Sequence, residues 1–182
     1  MNAGDFKQAM RQCAGAVALV TVGRENGRRT GLTVTAVCSL SDDPPSLLVC
    51  VNRKASANPR IREDRHFGVS FLNQEQLPLA LTFSGQNGVD GDDRFGFGSW
   101  STGVTGAPIL DDAIASFDCE LRDEFDTRTH SIFIGHVRDV KVHCTASPLL
   151  YHRGAFHGVQ PIRDVVSLGD LDVRKMIWSD FS

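Results

Sequence analysis

Apolar and polar residues alternate with a period of two along most of this chain. A helical period appears only in short pieces. Residues 5–13 (DFKQAMRQC) set Phe6, Ala9, Met10 and Cys13 at helical spacing, which predicts a short amphipathic N-terminal helix. Ala16 to Val22 reads as a strand, and Asn26-Gly27 is a strong hairpin signal. Thr30 to Leu40, rich in Thr and Val, is expected to pair antiparallel with the first strand and to stop at Pro44-Pro45. Ser46 to Val51 is nearly all apolar, as a strand buried on both faces would be.

Ser56 to Asp64 reads as a short helix with Pro59 near its first turn. Phe67 to Leu72 returns as a strand, and Glu75 to Phe83 as a second helix. Ser84 to Ser101, rich in Gly and Asp, is a long loop of the kind that forms a lid or binding loop. Ile114 to Phe125 alternates with Phe117, Cys119 and Leu121 on one face. His130 to Val142 alternates again, with Ile132, Ile134, His136, Arg138, Val140 and Val142 of one parity. Ser147 to His152 and Ala155 to Gly158 supply a last β segment. The tail from Asp170 to Phe181 has helical spacing, and Pro161 to Ser167 links to it. Six or seven hairpin-joined strands imply a mainly β, antiparallel fold, with enough strands to close a barrel flanked by short helices. Residues 1–160 form one domain and 161–182 a helical tail.

With 41% hydrophobic and 23% charged residues, the composition is that of a globular domain. The formal net charge of -3 gives no field favouring nucleic acid or an anionic membrane. No apolar run approaches the roughly 20 residues that span a bilayer. The five scattered cysteines lack a CxxC pair, and Cys38, Cys50 and Cys119 sit in apolar runs. Buried thiols in a reducing cytoplasm are therefore expected, not a disulfide framework.

Common catalytic signatures are absent: there is no GxGxxG, GxxxxGK[ST], GxSxG or HExxH. His130 and His136 share a strand face but lie about 20 Å apart at ~3.3 Å per residue, too far to share a metal ion. The stretch from Arg28 to Ser56 (RRTGLTVTAVCSLSDDPPSLLVCVNRKAS) is different. Thr33 and Thr35 fall on one strand face with Ser39 in register, and Arg53 or Lys54 could add a charge-assisted bond to a phosphate. The same pattern also suits a Thr-rich strand followed by a solvated basic turn.

The order GLTVTAVCSLSDDPPSLLVCVNRKAS resembles the flavin reductase family with the FMN-binding split-barrel fold. The likeness extends to FKQAMRQCAGAVALVT, HFGVSFLN, GDDRF, PILDDAIASFDCEL, THSIFIGHV and PLLYHRGAFHGV. It implies an antiparallel split β-barrel that reduces FMN, or FAD, with NADH or NADPH and supplies a partner flavin-dependent monooxygenase. It implies that Arg29, Thr30, Gly31, Leu32, Thr33, Thr35 and Ala36 line the flavin ring edge and ribityl chain. Cys50, Val51, Asn52, Arg53, Lys54, Ala55, Ser56 and Ala57 would wrap the phosphate, and Ser84 would add a further contact. His130 would approach the nicotinamide, with Tyr151, His152, Arg153 and Gly154 near the pyridine nucleotide. A homodimer is expected. Arg128-Thr129 departs from the family's Gly-Asp before that histidine, His136 stands where an acidic residue is common, and Phe156 replaces an aromatic hydroxyl. Other classes on the same fold are an FMN-bound oxidase of a small molecule and a non-enzymatic flavin- or haem-binding module.

Overall fold

The computed structural model describes residues 2–24, 29–143 and 146–160. The Asn26-Gly27 turn, Arg28, Cys144 and the expected link and helical tail over 161–182 lie outside the described residues. In chain order come α1 (Ala3–Met10), β1 (Gly15–Ala16), β2 (Ala18–Val22), β3 (Thr30–Val34), β4 (Val37–Asp42) and β5 (Pro45–Asn52). Then follow α2 (Ala57–Asp64), β6 (His66–Phe71), α3 (Leu77–Phe83), β7 (Trp100–Thr102), β8 (Pro108–Leu110), β9 (Ala115–Asp126), β10 (His130–Val142), β11 (Leu150–His152) and β12 (Ala155–His157). Short 3-10 turns occupy Gln74–Gln76 and Gly91–Gly96.

Seven strands form one antiparallel sheet in the order β3-β2-β6-β9-β10-β5-β4. The edge strands β3 and β4 are separated in sequence only by Thr35 and Ala36. Three Cα–Cα steps reach at most about 11 Å, so the two edges must lie side by side and the sheet must curl. No ladder joins β3 to β4 among the described residues, which leaves a seam where a closed barrel would be continuous.

The single strand expected over Thr30 to Leu40 is therefore two. Thr30 to Val34 pairs with β2, whereas Val37 to Asp42 pairs with β5. Ser39 and Thr33 consequently belong to opposite edge strands, and Thr35 belongs to no strand. Val17 interrupts the expected first strand: its N–H donates to Leu149 O at 2.9 Å and its carbonyl accepts from Leu72 N–H at 2.9 Å. Through it the chain passes from a small sheet, ordered β1-β11-β12, to the large one.

One core fills the curled sheet, with Val20, Val49, Val51, Phe67, Cys119 and Phe133 fully buried. Helix α2 contributes Ala57 and Ile61 to it. A second core packs Leu19, Leu72, Ala80, Phe83, Phe95 and Leu110 beneath α3 and the loop that follows. Gly135 on β10 admits the Phe67 ring, since a Cβ there would lie 2.6 Å from Phe67 Cζ and 2.8 Å from Cys119 Cβ.

The simple alternation expected of β9 and β10 is broken by register shifts between Ile134 and Gly135 and between Val137 and Asp139. These are β-bulges, each of which inserts an unpaired residue and resets which face follows. Helix α1 ends earlier than its spacing predicts and also begins earlier, because the Asn2 side chain caps it by accepting from Asp5 N–H at 2.9 Å. It buries no residue. The thiols also differ from expectation: Cys119 is buried, Cys50 half-buried and Cys38 exposed on edge strand β4. Asp112, Asn73 and Gln76 are knitted together before α3, where Asn73 accepts from Glu75 N–H at 2.9 Å and Gln76 returns the capping bond.

Candidate functional site

The residues after β5 turn sharply into α2. Asn52 Oδ1 accepts from Lys54 N–H at 2.9 Å and Asn52 O accepts from Ala55 N–H at 3.0 Å. This compact turn delivers Lys54, Ala55 and Ser56 to one wall of an open groove of about 460 Å3. Gly31, Leu32 and Thr33 of β3 form the opposite wall, Phe83 and Ser84 close the end of α3, and Asp90 and Arg94 form the rim. The size falls within the roughly 300–1,000 Å3 of small-molecule sites.

Hydroxyls fasten the walls together. Thr30 and Ser56 share a hydrogen bond of 2.6 Å, and Thr33 Oγ1 donates to Ala80 O at 2.6 Å. Because Ser56 bonds to Thr30, its side chain makes no capping bond to α2. Asn58 N–H at the head of α2 is taken by Ala55 O at 3.0 Å and Pro59 has none, so the setting that favours an anion here comes from the helix dipole and the Lys54 ammonium. Gly31 is needed here for close approach: a Cβ would lie 2.7 Å from Val20 O and 2.9 Å from Phe83 Cε1.

Arg94 holds the rim. Its guanidinium donates to Val89 O at 2.8 Å, Gly31 O at 2.8 Å and Asp90 Oδ1 at 3.0 Å. Arg29 pins the same loop through Asp92 at 2.7 Å and lies 4.7 Å from the Phe95 ring centroid. That hydrogen bond from Arg29 holds the Asp92 carboxyl below its ordinary range. The 84–101 loop is thus tied to β3 by two arginines.

Of the residues singled out from sequence, Gly31, Leu32, Thr33, Asn52, Lys54, Ala55, Ser56 and Ser84 converge on this groove. Val51 and Ala57 are fully buried behind it and Cys50 is half-buried. Arg53 does not line the groove: its guanidinium donates to Thr127 O at 3.3 Å over the β9–β10 turn. Thr35 and Ala36 line a second hollow of about 420 Å3 with Tyr151, Arg153 and the α1 residues Phe6 and Met10. Arg153 Nε donates to Gln12 Oε1 at 2.7 Å, His152 lies 5.8 Å from the His157 ring, and Gly154 turns β11 into β12 with φ +86.

Thr33 and Thr35 are about 7 Å apart at ~3.3 Å per residue, so the two hollows follow one another along the same segment. His130 lines neither; it is exposed and stands opposite Asn52 in the β5–β10 ladder. Its Nδ1 is 2.9 Å from Thr129 Oγ1. Phe83, Asp90 and Arg94 were not singled out from sequence, although Arg94 lies in the GDDRF segment. Nothing local in that segment indicates that its arginine reaches β3.

The family model described as "Flavin reductase like domain" matches residues 10–160. Over 155 residues the chain is 39% identical to the FMN reductase (NADH) RutF of Stutzerimonas stutzeri strain A1501, covering 85% of this chain and 87% of that one. The structure resembles BorF, the flavin reductase component of a bacterial two-component tryptophan halogenase, at a TM-score of 0.80 and 32% identity. That match covers 88% of this chain and 99% of BorF. It also resembles the Streptomyces globisporus NADH:FAD oxidoreductase SgcE6 in complex with NAD and FAD fragments, at a TM-score of 0.80 and 26% identity, over 90% of this chain and 96% of that one.

Proposed function

Because this chain belongs to the flavin reductase like domain family, we propose that it is an NADH-dependent flavin reductase that acts on FMN. The carrying observation is the groove in which a Lys54–Ser56 turn at the head of α2 faces the Gly31–Thr33 strand. The donor set fits a phosphorylated flat molecule: the Lys54 cation, hydroxyls and the positive end of the α2 dipole on one side, and Leu32 with the Phe83 ring along the walls.

Lys54 and the α2 N-terminus would hold the phosphate, Thr33 and Ser84 the polyol chain, and Thr35 and Ala36 the ring edge further along the segment. FMN bound in this way supplies an acceptor for the hydride of the nicotinamide. The chain's part is to position the two reactants and to keep the flavin loosely enough for release. His130, oriented by Thr129, is assigned to the nicotinamide side, and Tyr151 and Arg153 to the second hollow. Reduced flavin would then pass to a flavin-dependent monooxygenase, which accelerated substrate oxidation on mixing the two proteins would support and an unchanged rate would refute. The free thiols Cys13, Cys38, Cys50 and Cys119 fit a cytoplasmic protein, which cell fractionation checks.

Fluorescence titration tests the groove assignment. Lys54→Gln should weaken FMN binding about tenfold, the loss of one charge-assisted bond, and leave riboflavin binding unchanged. His130→Ala should leave FMN affinity intact and slow NADH oxidation. Equal losses for FMN and riboflavin in Lys54→Gln would remove the phosphate from this end of the groove.

A further inference from the structure

Three backbone irregularities converge on one polar hollow away from the groove, on the outer face of the sheet. The hollow has a volume of about 310 Å3 and is lined by Arg65, Glu120, Leu121, Arg122, His136 and Arg138. In the β9–β10 ladder Ile134 faces Asp123 and Gly135 faces Leu121, so Arg122 is the unpaired residue of one bulge. Val137 faces Cys119 and Asp139 faces Asp118, so Arg138 is the unpaired residue of the other. Arg65, the C-cap of α2, adopts a left-handed conformation with φ 60.

Helices more often end on glycine at such a left-handed residue, because a side chain there is strained. An arginine at that position, and two bulges that re-aim arginines, place three guanidinium groups and the His136 imidazole around one space. Bulges recur where a strand must redirect a side chain towards a site.

The charges do not cancel. Glu120 is the one carboxylate lining the hollow, and it pairs with Arg138, whose Nε donates to it at 2.7 Å. Arg65 spends one nitrogen on Leu121 O at 3.1 Å. Arg122 has no ion pair or hydrogen-bonded side-chain partner among the described residues. Two positive charges therefore remain in excess, presented as planar forks that match the oxygens of a tetrahedral oxyanion.

We propose that this hollow is a phosphate-binding site, one that takes a free phosphate or the phosphoryl group of a nucleotide. It is separate from the flavin groove: the two share no lining residue, and His136 lies six residues along β10 from His130, the ladder partner of the groove residue Asn52, about 20 Å at ~3.3 Å per residue. The proposal therefore stands whether or not the groove binds FMN.

Backbone-amide NMR on the full-length protein, titrated with inorganic phosphate at constant ionic strength, tests it. The amides of Leu121, Arg122, Gly135 and His136 should shift together and saturate. Arg122→Gln should weaken that binding about tenfold, as the loss of one charge-assisted bond predicts. The two sources are separated by adding nucleotides. Displacement of phosphate by NADPH but not by NADH identifies a 2′-phosphate as the occupant, and displacement by neither identifies free phosphate. Shifts at these amides that never saturate, or that are unchanged in a folded Arg122→Gln, would overturn the proposal. Should Arg122→Gln fail to fold, the shift map of the unaltered protein decides alone.

Discussion

Single residues set both the chemistry and the pH response of this molecule. His66 opens β6 with 3% of its surface exposed, and its Nε2 has no hydrogen-bond partner among the described residues. Burial pushes its pKa below the ordinary 6.5, while Asp64 and Asp118 pull it back and Arg24 adds to the fall. An unfolded chain takes up the proton below pH 6.5 and the folded chain resists it. Stability should therefore decline as pH drops from 6.5 towards the folded value, by at most about 1.4 kcal/mol per pH unit. Urea unfolding at about pH 7.5 and about pH 5.5 should show this loss in the native protein and a smaller one in His66→Gln. Equal losses in both proteins would refute the assignment. The residue scale was also where the sequence was least complete. Lys54 and Ser56 were recognisable from their neighbours, but Arg94 reaches Gly31 across more than sixty positions and no local pattern marks that contact.

At the scale of elements, periodicity found most of the strands and missed where they change partners. The Thr-Val run over Thr30 to Leu40 has uninterrupted β propensity, yet it divides at Thr35 because its halves belong to opposite edges of the sheet. Likewise, strict alternation in β10 fails at two bulges that depend on pairing with β9. Such features are properties of two strands together and cannot be read from either one. The β3 strand also links fold to site through Gly31. Gly31→Ala drives a Cβ against Val20 O and the Phe83 ring, so it should destabilise the protein by about 1–3 kcal/mol through overpacking. It should also weaken FMN binding by displacing the groove wall. Urea midpoints and fluorescence titration measure both, and an unchanged midpoint would mean that the wall yields without strain.

At the scale of the whole molecule, the curled sheet has two unlike ends. Helix α2 plugs one with Ala57 and Ile61. The other opens into an apolar hollow of about 340 Å3 that includes Val37, Leu47, Phe71, Phe117, Val137 and Val140. Leu40 on β4 and Val142 on β10 are also exposed, and an apolar face of this kind is expected to be covered by a second copy, in which case light scattering should give twice the mass of the chain. A monomeric mass would exclude it. The mainly β antiparallel architecture was legible from alternation and turn signals, because sheet faces impose that pattern directly. The groove was legible as a set of donors in sequence but not as a shape, since its walls come from strands, two helix ends and a loop. The central claim is that this groove brings FMN to NADH for hydride transfer. Anaerobic mixing of the purified protein with FMN and NADH measures it most directly. Loss of the flavin's visible absorbance at a rate well above that of the protein-free mixture is the result expected. A rate equal to the uncatalysed one, with FMN bound and NADH unconsumed, would contradict the account and leave a flavin-binding protein of another class.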